Sequence, residues 1–173
     1  MLTQAKPIAT AAHALAVTRT FNAPRDLVWK AWSESDRLAQ WWGPKGCKLG
    51  VVKLEFRPGG VFHYSMLMPD GATTWWGRFV YREIVNPERI VFVSSFSDEK
   101  AGIARAPFDP TWPLEVHNTL TLSEHDGKTM LELHGAPVNP SAEERVSFEG
   151  LFDCMQQGYG GTFDQLDEHL AKT

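Results

Sequence analysis

Between Cys47 and Pro137 the chain is cut by tight-turn sequences into short stretches of alternating character, and this pattern does most to limit the fold. Pro58-Gly59-Gly60, Pro69-Asp70-Gly71, Asn86-Pro87 and Asp126-Gly127 are turn chemistries that end one strand and start another. The stretches between them predict strands over Leu49–Phe56, Val61–Met68, Thr74–Val85, Ile90–Phe96, Leu114–Ser123 and Lys128–Gly135. Short strands joined by tight turns give an antiparallel meander. One face of such a sheet must be covered by something apolar.

The cover comes from the ends of the chain. Leu15, Val17 and Arg19 alternate with Ala16, Thr18 and Thr20, which predicts a first strand over Ala14–Phe21. Asn22 reads as an N-cap, and Pro24 suits the first turn of a helix that buries Leu27, Val28, Ala31 and Trp32. A second short helix runs from Ser35 through Trp41 and Trp42 to a stop at Gly43-Pro44. After Pro140, Ser141 and Glu144 fit a capping box. Val146, Phe148, Leu151, Phe152, Met155, Tyr159, Phe163, Leu166 and Leu170 then recur mostly at three- and four-residue steps. That spacing predicts one long amphipathic helix. Gly158, Gly160 and Gly161 are its weak point, each costing about 1 kcal/mol against alanine in a helix interior. They imply a close backbone approach or a kink. Residues 1–13 read as a flexible leader and residues 14–173 as a single domain. The fold class is α+β, with a helix packed on one face of an antiparallel sheet. Ser97–Pro113 stands apart: it has three prolines and little periodicity, and reads as a long mobile loop, a lid or merely disordered.

Alternation assigns the faces. Phe62, Tyr64 and Met66 share the inner side of one strand, with His63 and Ser65 opposite. Trp75, Gly77, Phe79 and Tyr81 share the inner side of the next, and Phe92 and Asn118 follow on their own strands. The closing helix offers Phe152, Met155, Tyr159 and Phe163 to this concave face. With seven Trp, ten Phe and three Tyr, the chain is either exceptionally ring-rich in its core or encloses a ring-lined cavity. The candidate ligand-binding residues are Trp42, Phe62, Tyr64, Met66, Trp75, Phe79, Phe92, Asn118, Phe152, Met155 and Tyr159. Asn118 is the sharpest polar clue, because a buried amide on an apolar face needs a partner; Tyr64, Ser94, water or a ligand could supply it.

Several function classes lose ground here. The formal net charge of −4 argues against nucleic-acid binding. No apolar run approaches the roughly 18 residues of a membrane span. Cys47 and Cys154 form neither a disulfide framework nor a zinc site, and read as free thiols in a cytoplasmic protein. The six histidines lack metal-ligand spacing, and His63, His117 and His134 fall on the outer face in solvated or cross-strand roles. No phosphate-cradling loop, nucleophile elbow or acid–base pair is found. No catalytic residue, metal site or cofactor is therefore assigned.

The motifs also resemble a known family. Asn22-Ala23-Pro24 with Val28-Trp29 is similar to the first-helix signature of the START-like, helix-grip (SRPBCC) superfamily. Trp41-Trp42-Gly43-Pro44, the run from Glu55 to Gly60, Pro69-Asp70-Gly71 and the run from Asn86 to Val91 resemble the family named for activators of the Hsp90 ATPase. Gly158 to Leu166 resembles its closing helix, with Tyr159 where a Trp is usual. The resemblance runs from about Leu15 to Leu170. It implies a curved antiparallel sheet gripping a long C-terminal helix, with an internal hydrophobic cavity between them. The implied partner is a small apolar, aromatic or lipid-like molecule. The alternatives are a cyclase- or hydrolase-type enzyme using the same cavity, and an Hsp90-type chaperone partner, which a chain with room for one such domain does not favour. A homodimer through an exposed strand or tryptophan patch is compatible with the sequence.

Overall fold

The computed structural model describes residues 14–173; the expected leader, residues 1–13, lies outside them. The order is β1 (Leu15–Phe21), α1 (Arg25–Ser33), α2 (Ser35–Trp41), β2 (Lys48–Leu54), β3 (Val61–Leu67), β4 (Thr74–Val85), β5 (Arg89–Ser97), β6 (Ile103–Ala104), β7 (Val116–His125), β8 (Lys128–Pro137), α3 (Ala142–Gly150) and α4 (Phe152–Ala171). All strands join one curved antiparallel sheet in the order β1-β8-β7-β5-β4-β3-β2, with β6 on the edge of β5. The meander is closed by its ends: β1 pairs with β8 from Leu15↔Gly135 to Phe21↔Thr129. The α+β, helix-grip architecture is as the alternation and the motifs imply.

Turn chemistry accounts for the sharpest corner. Gly59 adopts a φ of +83°, open to glycine with little penalty. A Cβ on Gly60 would lie 2.0 Å from the carbonyl oxygen of Glu55, so backbone occupies the place of any side chain. Arg57 pairs with Glu55 at 3.4 Å on the exposed side of this turn.

The helices differ from the expectation at two points. Pro24, not Asn22, is the N-cap of α1, and it has no capping side chain. The open Arg25 N–H instead donates to Glu124 Oε1 of β7 at 2.6 Å. The Ser141 capping box is present, with Glu144 N–H donating to Ser141 Oγ and Ser141 N–H to Glu144 Oε1. The expected single long helix, however, is two, broken at Leu151 (φ −108°, ψ 15°) beside Gly150. The glycines at 158, 160 and 161 lie inside α4 without interrupting it. A Cβ on Gly158 or Gly160 would meet nothing within 4 Å, so neither close approach nor kink explains them.

The core sits at one end of the grip. Thr162, Phe163, Leu166 and Leu170 are the buried residues of α4, all in its C-terminal half. They pack with Phe21 and the indoles of α1 and α2; Phe163 meets Phe21 edge-on at 6.1 Å and Trp32 at 6.4 Å. Arg19 ties β1 to Asp164 at 2.7 Å, and Gln165 Nε2 donates to the carbonyls of Trp41 and Gly43. Each fully buried Phe or Leu here contributes about 1.5–3 kcal/mol of transfer free energy. On the convex face, His63 takes the cross-strand one of its two expected roles, not the solvated one. It is 3% exposed, stacked on Trp76 at 5.5 Å, with Nε2 3.2 Å from the Asp98 carbonyl. The turn after β5 covers it, which strand alternation cannot foresee.

Candidate functional site

The N-terminal half of α4 stands off from the sheet, and the space between them is a cavity of about 480 Å³. Leu151, Cys154, Met155, Gly158, Tyr159 and Thr162 of the helical region face it, at the three- and four-residue steps of one helix stripe. The floor is the matching end of the sheet. There the inner face carries small residues, Gly77, Ser94 and Gly135, between larger ones. Register explains their placement: Gly77 lies opposite Tyr64 and Phe96, and Gly135 opposite Asn118 and Leu15. A Cβ on Gly77 would lie 2.5 Å from the Tyr64 hydroxyl, and one on Gly135 would lie 2.9 Å from Asn118 Oδ1. These glycines leave room for the two polar side chains of the floor.

The Ser97–Pro113 segment, expected as a mobile loop, closes one side of the cavity and is tied down at several points. β6 continues the edge of β5 where β7 stops, with Phe96↔Ala104 and Ser97↔Ile103 following Ser94↔Val116. Arg105 Nη1 donates to Glu144 Oε2 of α3 at 2.7 Å and to the Trp112 carbonyl at 3.1 Å. Phe108 lies 6.1 Å from Trp75 and 5.7 Å from Phe96, and Trp112 packs on Phe148 at 5.3 Å. Phe108 and Trp112 both line the cavity. Among the lining residues Pro44, Phe108, Cys154 and Gly158 are exposed, which puts the opening between this segment, α4 and the turn after α2.

Of the residues chosen from sequence, Trp42, Tyr64, Met66, Trp75, Asn118, Met155 and Tyr159 are brought together around the cavity. Phe62, Phe79 and Phe92 do not line it. They face the same side of the sheet but are packed among one another and neighbouring rings, at most 2% exposed. Phe79 stacks on Phe92 at 4.2 Å and meets Trp42 edge-on at 5.2 Å, so these rings support the wall from below. Phe152 sits off the lining stripe of α4 and packs edge-on against Phe148 at 5.5 Å. The tryptophan pair divides its work. Trp41 is buried and donates its Nε1–H to the Ala31 carbonyl at 2.9 Å, whereas Trp42 reaches the cavity. Phe108, Trp112 and Cys154 were not foreseen. The first two lie in an aperiodic segment, and Cys154 carries no signal beyond its helix position.

The polar groups are few and neutral. Asn118 Nδ2 donates to Ser94 Oγ at 3.0 Å and to the Val116 carbonyl at 2.9 Å. Its Oδ1 has no hydrogen bond among the described residues. Burial pushes the Tyr64 phenol up to about 12, with the neighbouring Trp42 indole working the other way. That indole N–H is buried without a hydrogen-bond partner among the described residues; it stands near the Tyr64 oxygen but falls short of hydrogen-bond geometry. Burial raises Tyr159 further, reinforced by Tyr64. Among the described residues no carboxylate, imidazole, amine or guanidinium lines the cavity. Among the described residues no group of His, Cys, Asp and Glu could hold a metal ion, and no helix is long and apolar enough to cross a membrane.

Comparison with known proteins gives a consistent picture. Residues 22–171 match the family model described as Activator of Hsp90 ATPase homolog 1-like protein. Among solved structures, a Mycobacterium smegmatis protein is 26% identical with a TM-score of 0.75, over 94% of this chain and 93% of that one. A solution structure of an Arthrobacter aurescens protein is 26% identical with a TM-score of 0.78, over 95% of this chain and 89% of that one. The fold alone is shared with DynU16, a protein of the dynemicin biosynthetic locus, at 18% identity and a TM-score of 0.63, over 92% of this chain and 47% of that one. No curated protein sequence matches.

Proposed function

This chain belongs to the family of Activator of Hsp90 ATPase homolog 1-like proteins, and from that premise we propose that it is a binding module holding one small, neutral, largely apolar molecule between sheet and helix. The observation that carries the proposal is the make-up of the cavity. About 480 Å³ falls within the usual range for small-molecule sites, roughly 300–1,000 Å³, and the walls are rings, methionines and a few neutral polar groups. Met66 and Met155 suit such a site because the thioether adapts its shape to its neighbour.

The same inventory disfavours a cyclase or hydrolase. General acid–base catalysis needs a group that exchanges a proton near the working pH. The phenols facing the cavity are held far above that range, and among the described residues no carboxylate or imidazole joins them. An Hsp90-type chaperone partner forms no part of this reading. We further propose a cytoplasmic location, a compartment that keeps thiols such as Cys47 and Cys154 reduced.

Titration with the neutral, environment-sensitive dye N-phenyl-1-naphthylamine tests the proposal. Saturable one-to-one uptake is expected, and Met155→Trp, which fills the cavity from the helix side, abolishes it while leaving the fold intact by circular dichroism. Absence of saturable uptake by the wild-type protein, together with no co-purifying small molecule in native mass spectrometry, overturns it.

A further inference from the structure

Two phenols whose oxygens make no hydrogen bond among the described residues meet in the cavity, with one indole beside them. Tyr64 comes from β3, Tyr159 from α4 and Trp42 from the turn after α2. The Trp42 ring lies 6.3 Å from Tyr64 and 6.4 Å from Tyr159. Tyr64 is 6% exposed and lines the cavity, and neither phenol oxygen makes a hydrogen bond among the described residues. Leaving such groups unmatched in an apolar setting is costly, so a ligand that matches them gains affinity that a pure hydrocarbon cannot.

The direction of the missing bond follows from the chemistry of the donors. An indole N–H can only donate. Among the described residues Trp42 Nε1 is buried with no hydrogen-bond partner, and the Tyr64 oxygen is the polar atom beside it. Tyr64 is best arranged with a lone pair toward Trp42 and its own proton toward the cavity. Both phenols stay protonated at neutral pH and are therefore able to donate. We propose that Tyr64, oriented by Trp42, and Tyr159 form a donor pair that selects neutral ligands carrying a carbonyl or ether oxygen over hydrocarbons of the same shape. This rests on the binding reading above and adds the chemical class of the occupant. Trp42 is a positioning residue here, because its N–H is shielded from the cavity by its own burial.

A matched pair of rigid probes separates the possibilities: 9-fluorenone and fluorene differ in one carbonyl oxygen. The ketone is the better hydrated of the two, so an apolar cavity without donors favours fluorene. With the donor pair, fluorenone binds about tenfold more tightly than fluorene, the gain of one well-made hydrogen bond. Bound fluorenone labelled with carbon-13 at the carbonyl shows a downfield shift relative to its value in hydrocarbon solvent. In Tyr64→Phe the preference falls to parity or reverses, while fluorene affinity holds. Tyr159→Phe lowers the preference as well and carries the same test should Tyr64→Phe fail to fold. In Trp42→Phe the preference shrinks without vanishing, and the carbonyl shift moves back only part of the way. Saturable binding of both probes with fluorene equal or preferred overturns the donor pair and leaves the cavity reading standing. Saturable binding of neither overturns both.

Discussion

Replacing Gly160 with alanine is expected to stabilise the protein by about 1 kcal/mol. Gly160 lies in the interior of α4, where glycine costs about 0.8–1.0 kcal/mol relative to alanine through backbone entropy. The gain is offset only if the new methyl meets something, and a Cβ there would find no neighbour within 4 Å. The bond from Arg19 Nη1 to the Gly160 carbonyl uses the backbone and survives the change. For a chain of this size 1 kcal/mol corresponds to about 2–4 °C in Tm. Calorimetry should show that rise, and urea unfolding a higher midpoint at unchanged slope. Gly158→Ala should give the same gain, since its Cβ position is equally open. Gly158, however, lines the cavity and Gly160 does not. Dye uptake is therefore unchanged in Gly160→Ala and altered in Gly158→Ala. A Tm that falls or stays fixed in Gly160→Ala refutes the reasoning: it would mean that position 160 is not ordinary open helix.

Three further outcomes follow from the geometry. Tyr64, Tyr81 and Tyr159 are the chain's only tyrosines, and burial raises all three in the folded state. Their neutral forms stabilise the fold fully below pH about 10, the unfolded value. That stability is lost as pH rises toward the folded value of about 12 for Tyr64, at about 1.4 kcal/mol per pH unit for each phenol. Phenolate absorbance near 295 nm should appear at pH 10–11 only in the urea-unfolded protein; its early appearance in the folded protein contradicts the burial. Gly77→Ala places a methyl 2.5 Å from the Tyr64 hydroxyl. It should cost about 1–3 kcal/mol by overpacking and weaken dye binding, whereas a variant with unchanged stability and uptake would show that Tyr64 is free to move aside. Arg105→Ala removes an ion pair with Glu144 whose arginine is half-exposed, so about 1 kcal/mol of global stability is at stake. Because the same guanidinium holds the segment beside the cavity, stopped-flow dye release should be faster than in the wild type; an identical rate removes it from that role.

The cavity residues were legible in proportion to how local their signal is. Strand alternation placed Tyr64, Met66, Trp75 and Asn118 on the inner face because successive side chains on a strand must point to opposite sides. The register bore this out, since the bulges at Val51/Lys53 and Tyr81/Glu83 fall outside the stretches that hold them. The same rule placed Phe62, Phe79 and Phe92 equally well on that face, yet they form solid core. Alternation gives the side of the sheet and is silent on how far the helix stands from it at each point along its length.

What the sequence by itself determined is therefore the set of elements and the sides they present. The turns ending each strand, the amphipathic stripe of the closing helix and the capping box at Ser141 all follow from nearest-neighbour stereochemistry. The tertiary structure alone decided where a void remains. That outcome depends on the break at Leu151, on the burial of only the C-terminal half of α4, and on an aperiodic segment that brings Phe108 and Trp112 over the gap. A cavity is the difference between two packed surfaces, and neither surface encodes it alone.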